Sequence, residues 1–351
     1  MAKNTFIGYV GTYTRGDSEG IYTFSLDTAE KRLSQTALAA EIENPTYLAI
    51  TKDNKSLYSV KKDGDLGGVA SFEVNPETGD LSYLNHRLLE GPPPCHVSVD
   101  KEFATVLATN YHRGSVETFI VDQQDRSLEE AISVVRHEGS GLDPERQEKA
   151  HTHYAGFTPD QKFVVAVDLG IDKILTYKLN DGKLTQVHSL TVKAGSGPRH
   201  LVFHPNRKWA YVMTELSSEV IVLAYNEKNG SFEEIQYLST LPEGFTENNQ
   251  GSAIHISSDG RYLYAGNRGH NSIALFWINQ ASGQLDFVEH TSTEGNWPRD
   301  FVLDPSENFV VASNQESNNL VLFSRDVESG KLTLLQSVPV PEPVCVKFLH
   351  A

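Results

Sequence analysis

A histidine, a glutamate and three arginines are the residues of this 351-residue chain whose types best suit chemistry. They are His153, Arg199, Glu215, Arg268 and Arg299. Arginine presents a planar fork of N–H donors that matches carboxylate and phosphate groups. Histidine and glutamate side chains can transfer a proton near neutral pH. Together they would bind an anion and move a proton, but they are spread over residues 153–299 and the fold must gather them.

A short sequence motif, in which an apolar strand follows a proline or a glycine, recurs along the chain. It predicts how the fold brings these five residues together. The intervals between successive copies are 49, 58, 46, 53, 47 and 45 residues, so seven repeats of about 50 residues account for nearly the whole chain. Repeats of this length that consist of strands are typical of β-propellers. The copies begin at Pro45, Pro94, Thr152, Pro198, Gly251, Pro298 and Pro343.

Each repeat contains four runs of β-branched, aromatic or alternating residues, separated by turns rich in Asp, Asn, Gly and Pro. These features predict four strands and no helix. The first run of the chain, Phe6–Thr12, matches the second strand of a repeat, and the last, Val344–Leu349, matches a first strand. We therefore predict an all-β fold: one seven-bladed propeller domain over residues 1–351, with four antiparallel strands per blade. Pairing of the N- and C-terminal strands is expected to close the ring.

The composition limits the possible partners and the cellular location. A formal net charge of −16, from 46 acidic and 30 basic residues, argues against nucleic acid or an anionic membrane as a partner. No apolar run reaches membrane length, and the N-terminus shows no export signal. The two cysteines, Cys95 and Cys345, fall in non-adjacent repeats and are not expected to form a disulfide. We expect a cytoplasmic protein that is a monomer or a weak homo-oligomer.

The repeat also predicts which residues face the propeller axis, because the first strand of every blade lines the central channel. Three arginines with few local carboxylates, in an acidic protein, would leave positive charge over and favour an anionic ligand. A single charged residue there would more often form an ion pair between blades. The entrance of the first strand supplies Thr46, Cys95, His153, Arg199, Ser252, Arg299 and Val344. The end of the second strand supplies Lys61 or Lys62, Asn110, Asp168, Thr214–Glu215, Asn267–Arg268 and Asn314.

The one long insertion, residues 139–153, explains the 58-residue interval and delivers two histidines, His151 and His153, to the channel mouth. Long loops in this position often cover a site. Two histidines at this spacing raise the possibility of a metal, but the usual zinc spacing and a third ligand are missing. We therefore predict no metal and no other cofactor.

Three motifs resemble those of the seven-bladed lactonase family, and the resemblance covers the whole chain. They are Pro144–His153, Gly197–Pro205 with a glutamate sixteen residues after its arginine, and Gly266–Arg268. The family contains propeller-type bacterial 6-phosphogluconolactonases and fungal carboxymuconate cyclases. In the cyclase branch a histidine, two arginines and a glutamate are associated with the active site. The resemblance places these on His153, Arg199, Glu215 and Arg268, with His151 as an alternative to His153.

The resemblance implies the hydrolysis of 6-phosphogluconolactone, a small anionic sugar lactone. Either Glu215 or His153 would take a proton from water, and Arg199 would polarise the ester carbonyl. Arg268 and Arg299 could hold the phosphate. No serine elbow motif is present, which favours direct attack by water over an acyl-enzyme. Arg299, His151, Asn267 and Asp168 complete the predicted substrate-binding set.

Three other functions remain open from the sequence. The chain could be a lactonase or cycloisomerase for another anionic lactone. It could also be a propeller that binds a partner without catalysis, which an apolar mouth or fully paired arginines would favour. A metal-dependent sugar lactonase would need carboxylates and amides at the axis. Asp168, Asn110, Asn267, Asn314 and Glu215 would be its candidates.

Overall fold

The computed structural model of the chain describes residues 4–351, which form 29 β-strands in seven sheets and no α-helix. The predicted domain limits, 1–351, include residues 1–3, which lie outside the described residues. Blade 1 consists of β1 (Thr5–Thr12), β2 (Gly20–Asp27), β3 (Arg32–Leu33), β4 (Ala37–Glu41) and β29 (Pro343–Phe348). Blade 2 consists of β5 (Leu48–Ile50), β6 (Ser56–Asp63), β7 (Leu66–Val74) and β8 (Leu81–Glu90).

The remaining five blades each contain four consecutive antiparallel strands. Blade 3 has β9 (His96–Val99), β10 (Thr105–Asn110), β11 (Ser115–Val121) and β12 (Leu128–Arg136). Blade 4 has β13 (Thr152–Phe157), β14 (Val164–Asp168), β15 (Lys173–Asn180) and β16 (Lys183–Thr191). Blade 5 has β17 (Pro198–Phe203), β18 (Trp209–Thr214), β19 (Glu219–Asn226) and β20 (Ser231–Ser239). Blade 6 has β21 (Gln250–Ile256), β22 (Tyr262–Arg268), β23 (Ser272–Ile278) and β24 (Leu285–Ser292). Blade 7 has β25 (Pro298–Leu303), β26 (Phe309–Asn314), β27 (Asn319–Arg325) and β28 (Leu332–Pro339).

Pairing of the chain ends closes the ring. Strand β29 lies antiparallel to β1, with Phe348 opposite Gly8. The predicted fold class and its closure are therefore confirmed. One detail differs, because the outer strand of blade 1 is divided into β3 and β4, which both pair with β2. The division follows Leu33, whose backbone amide and carbonyl are both bonded by the side chain of Gln336 from blade 7.

The hydrophobic core lies between the blades rather than within one central mass. Seven clusters of buried apolar residues are found in residues 4–351, one for each pair of neighbouring blades. In one of them Phe309 and Leu320 of blade 7 pack with Phe24 and Phe348 of blade 1. Because both faces of a blade are covered, its second strand is largely buried, and all six residues of β10 are buried.

Buried tyrosines tie neighbouring blades together at their outer turns. The Tyr211 hydroxyl donates to the carbonyl of Gly283 at 3.0 Å, and Tyr264 donates in the same way to Gly330 at 2.7 Å. Both glycines have positive φ, 76° and 74°. A Cβ on Gly283 would overlap the ring of Trp209, so the turn needs glycine for both reasons. These ties hold the blades in register around the axis.

The first strands of the blades, β29, β5, β9, β13, β17, β21 and β25, neighbour one another in a ring around the axis. Their entrances lie at the same end of the channel, so a side chain at the start of any one of them can reach a common mouth. No helix suited to crossing a membrane occurs in the described part of the chain.

Candidate active site

A cavity of about 500 Å³ opens at the mouth of the channel. The five residues with which the sequence analysis began, His153, Arg199, Glu215, Arg268 and Arg299, all line it. Of the seven first-strand entrance residues, all except Ser252 belong to its wall. Blades 4 to 7 therefore supply the chemically active groups to one volume, as the repeat pattern predicts for a propeller.

The carboxylate of Glu215 lies at the centre of a buried ionic cluster. Its Oε2 accepts hydrogen bonds from Arg199 Nε at 3.1 Å and from Arg268 Nη2 at 2.6 Å. Its Oε1 accepts a further hydrogen bond from Arg146. Glu215, Arg199 and Arg268 are each at most 3% exposed. One carboxylate thus holds three guanidinium groups from three parts of the chain.

The protonation state of Glu215 follows from two opposed effects. Burial alone would raise the pKa of its carboxyl group, but the positive charges of Arg268, Arg199 and Arg146 outweigh burial and hold the pKa well below its ordinary value. Glu215 is therefore ionised at neutral pH. Such a carboxylate is a weak base, because protonation would break its ion pairs.

The cluster carries more positive than negative charge. Besides Glu215, the two buried arginines bond only to backbone carbonyls: Arg199 Nη1 donates to Ser252 O and Arg268 Nη2 to Gly251 O, both at 2.7 Å. Burial, and then repulsion from Arg199 and Arg299 against the attraction of Glu215, lowers the pKa of Arg268. A bound anion would relieve this crowding of positive charge.

His153 is a buried imidazole beside this cluster. Burial first, and then repulsion from Arg199, lowers its pKa well below the ordinary value, so the ring is neutral at neutral pH. Its Nδ1 makes no hydrogen bond with any described residue. The ring packs edge-on against His200, with centroids 5.1 Å apart. Because Nδ1 is also out of contact with solvent, the ring can accept a proton from water in the cavity only through Nε2.

Cys95 also lines the cavity but is a poor nucleophile. Burial is the main effect and raises the pKa of its thiol to about 11. Because the thiolate is the reactive form, this side chain is inert at neutral pH.

Asp168 and His151, predicted to bind substrate, lie outside the cavity wall, and this is a correction. The Asp168 carboxylate is fully buried and hydrogen-bonds with His137 at 2.6 Å, with Thr152 Oγ1 at 2.9 Å and with the backbone N–H of His151 at 2.8 Å. The His151 ring stacks on Tyr111 and so lies behind it. Both residues instead fix the start of β13, which carries His153.

Asn267 is likewise withdrawn from the cavity. Its amide donates to Thr240 O at 2.8 Å and accepts from Thr240 Oγ1 at 2.7 Å. The equivalent Asn110 and Asn314 donate in the same way to the carbonyls of Pro92 and Thr293. Each of these amides ties a blade to the segment that leads into it. None of the three amides lines the cavity.

The sequence profile described as "Lactonase, 7-bladed beta-propeller" matches residues 7–348. This chain belongs to that family. It is 60% identical over 346 residues to a 6-phosphogluconolactonase of Bacillus subtilis, with 98% of this chain and 99% of that protein covered.

Two solved structures are similar to this chain along its whole length. A structure titled periplasmic gluconolactonase, from Pseudomonas aeruginosa, has a TM-score of 0.93 at 34% identity and covers 98% of this chain and 99% of its own. A putative 6-phosphogluconolactonase of Bacteroides fragilis has a TM-score of 0.91 at 34% identity and covers 99% of each chain. These chains share the whole propeller with this lactonase.

Several residues that line the cavity were not predicted from the sequence. Some of them could have been found, because the residue that follows the last position of a second strand faces the cavity. Tyr111 follows Asn110 in this way, as Glu215 follows Thr214. No such signal exists for Arg146, which the insertion of residues 139–153 brings to Glu215. Further residues that line the cavity without having been predicted include Tyr13, Arg15, Tyr47 and His200.

Within residues 4–351 no three or more His, Cys, Asp or Glu side chains are arranged to hold a metal ion. Glu215, the one carboxylate that lines the cavity, is already bonded to three arginines. The candidate ligands of a metal-dependent lactonase therefore do not converge, and metal independence stays a prediction.

Proposed function

We propose that this lactonase hydrolyses 6-phosphoglucono-1,5-lactone to 6-phosphogluconate. The observation that carries the proposal is the neutral imidazole of His153 beside a group of arginines. The positive charge of these arginines exceeds the negative charge of Glu215, the one carboxylate that pairs with them. This arrangement suits an anionic ester that is attacked by water. The 6-phosphogluconolactonase of Bacillus subtilis, 60% identical to this chain, supports the choice of lactone.

The residues suggest a reaction in two steps. In the first, the imidazole of His153 takes a proton from a water molecule as the water oxygen bonds to the lactone carbonyl carbon. Arg199 and Arg268 stabilise the negative charge that forms on the carbonyl oxygen. In the second, the carbon–oxygen bond of the ring breaks, and the ring oxygen takes the proton back from the imidazolium. Atoms and charge balance, and the products are the free acid and the regenerated imidazole.

Glu215 acts in this proposal by positioning rather than by proton transfer. Both of its carboxylate oxygens accept hydrogen bonds from arginines and are not available to take a proton from water, and the same bonds fix the guanidinium groups that face the carbonyl. Removing one partner of a buried charge cluster leaves the others uncompensated. Of the two candidate bases, His153 is therefore the one the site favours.

Glucono-1,5-lactone without a phosphate is the second candidate substrate. The observation in its favour is the likeness to the structure titled periplasmic gluconolactonase. If the phosphorylated lactone is the substrate, we expect the protein in the cytoplasm, because a phosphorylated sugar does not cross a membrane unaided. The two candidates differ in the phosphate alone, so a direct comparison of the lactones separates them.

The test is a rate measurement on both lactones, with spontaneous hydrolysis subtracted. We expect a specificity constant for the phosphorylated lactone at least about tenfold above that for the plain one, since charge-assisted bonds to a phosphate contribute about 1.5–3 kcal/mol each. EDTA should leave both rates unchanged. The proposal fails if the phosphorylated lactone is not hydrolysed faster than in buffer alone. Loss of activity with EDTA and its recovery with calcium would support a metal-dependent enzyme instead.

A further inference from the structure

Two arginines at the cavity mouth, Arg15 and Arg299, differ from all the other cations there. Neither has a carboxylate oxygen within ion-pair distance among residues 4–351. Lys62, by contrast, pairs with Glu43 at 2.6 Å, and the remaining arginines of the wall pair with Glu215. In a protein of net charge −16, two unpaired guanidinium groups in one cavity point to an anionic ligand.

Both of these arginines lie over the ring of Tyr13. The guanidinium carbon of Arg15 is 3.8 Å from the ring centroid, and that of Arg299 is 5.5 Å away. The two carbons are therefore no farther apart than the sum of those distances. A guanidinium that packs on an aromatic face keeps the N–H donors of its edge free, and these donors fit phosphate oxygens.

The loop that carries Arg15 is fixed by its backbone. The Glu342 carboxylate accepts hydrogen bonds from the N–H groups of Arg15 and Gly16, both at 2.9 Å. Thr14 and Asn44 exchange two more, Thr14 N to Asn44 Oδ1 and Asn44 N to Thr14 Oγ1. Glu342 thus holds the loop and leaves the Arg15 side chain unneutralised. Glu342 and Asn44 both adopt left-handed backbone, at φ 42° and 50°, a strain that these contacts must support.

The position of the pair relative to the Glu215 cluster suits a ligand with two ends. Arg299 lies close enough to repel Arg199 and Arg268 and to contribute to the lowered pKa of each of them. Arg15 is exposed at the outer edge of the mouth. In a hexonolactone 6-phosphate the phosphate and the ester carbonyl lie at opposite ends of the molecule. The Arg15 end would then face the phosphate when the carbonyl faces Arg199 and Arg268.

We propose that Arg15 and Arg299, held on Tyr13, form the phosphate subsite of this cavity. The inference rests on the proposed function, since it assigns one part of the same substrate. The sequence-based assignment gave the phosphate to Arg268 and Arg299. The subsite keeps Arg299 and puts Arg15 in place of Arg268, whose Nη2 is bonded to Glu215 and Gly251 beside the proposed position of the carbonyl. The subsite selects the phosphorylated lactone over the plain one.

The test compares Arg15→Ala and Arg299→Ala with Arg32→Ala, which removes an exposed arginine from the outer strand β3. On 6-phosphogluconolactone we expect kcat/KM to fall about fivefold to tenfold for Arg15→Ala and about ten- to a hundredfold for Arg299→Ala, mainly through KM. The loss on glucono-1,5-lactone should be several times smaller. Arg15→Lys should recover part of the loss, because the charge returns without the fork. Arg32→Ala should behave as the unchanged protein on both lactones.

A second measurement does not depend on turnover. Inorganic phosphate should raise the melting temperature of the unchanged protein and of Arg32→Ala, and raise it less in Arg15→Ala and Arg299→Ala. Equal losses on the two lactones, or equal stabilisation of all four proteins by phosphate, would overturn the subsite. If the unchanged protein hydrolyses only the plain lactone, the proposed function fails, whereas the phosphate measurement still decides whether the subsite exists.

Discussion

The cavity holds two groups of arginines that differ in what binds them. Around Glu215, the guanidinium groups are buried or half-buried, and a carboxylate together with backbone carbonyls accepts their hydrogen bonds. At the mouth, Arg15 and Arg299 lie on an aromatic ring, and no carboxylate in residues 4–351 forms an ion pair with them. The same side chain is thus part of the protein's framework in one place and is left available in the other.

One cavity thus combines groups held rigidly for catalysis with groups left available for binding. Groups that stabilise a transition state must not rearrange, and hydrogen bonds to Glu215 and to backbone carbonyls keep Arg199 and Arg268 in place. Groups that bind a substrate charge need unused donors. If this division is correct, changes near Glu215 should affect all lactones equally, whereas changes at the mouth should affect only phosphorylated ones.

The largest effect is expected from His153→Ala. Loss of a general base costs about 10²- to 10⁴-fold, so kcat/KM should fall by that factor on both lactones. His188→Ala, on the outer strand β16, is the matched control and should retain full activity. Steady-state rates on the two lactones measure the effect. Near-normal activity of His153→Ala would move the base elsewhere in the cavity.

The next effect is expected from Arg268→Lys. The shorter fork-free ammonium cannot bond to Glu215 and Gly251 as the guanidinium does, and kcat/KM should fall about ten- to a hundredfold. The comparison requires the same factor on the phosphorylated and the plain lactone, in contrast to Arg15→Ala. A loss confined to the phosphorylated lactone would mean that Arg268 binds the phosphate. The two groups of arginines would then not differ in their roles.

The smallest effect is a decrease in the free energy of unfolding as pH falls, caused by buried histidines near the Glu215 cluster. Burial holds the pKa of His96 at about 3, and burial with repulsion from Arg199 lowers that of His153 and of His200. Below pH 6.5 these histidines take up protons in the unfolded chain but not in the folded one, so the stability they contribute above pH 6.5 is lost as pH falls.

Chemical denaturation between pH 6.5 and 5 measures this loss. Each such histidine adds up to about 1.4 kcal/mol per pH unit to the slope of unfolding free energy. His96→Gln should reduce the slope by about that amount, whereas Arg15→Ala at the mouth should leave it unchanged. An identical slope in His96→Gln and the unchanged protein would show that this ring takes up protons equally in the folded and the unfolded chain.

The fold was predictable from the sequence because a propeller repeats one local pattern seven times. Six of the seven repeats enter their first strand through a proline or glycine, β13 at Thr152 being the exception, and the alternation of apolar residues marks the strands. The same periodicity placed His153, Arg199 and Arg299 at the mouth. It could not foresee the division of the outer strand in blade 1, which depends on Gln336 from the neighbouring blade.

The candidate site was predicted only in part, for two physical reasons. Successive residues of a strand face opposite sides, so of Asn267 and Arg268, which the pattern placed together at the cavity, only Arg268 faces it. Loops have no repeat and therefore no assigned position. Arg146 and Arg15 reach the cavity because distant carboxylates, Glu215 and Glu342, hold their side chain or their backbone.

The closure of the ring has a consequence for the lifetime of the folded protein. Blade 1 is the only blade among the described residues whose sheet joins the two ends of the chain, so fraying of β29 from β1 is the step that would open the circle. The loop of Arg15 follows β1 and is bonded to Glu342, which precedes β29. A phosphorylated ligand that bridges Arg15 and Arg299 would therefore fasten this seam. Proteolysis that begins at the chain ends should slow as the substrate concentration rises.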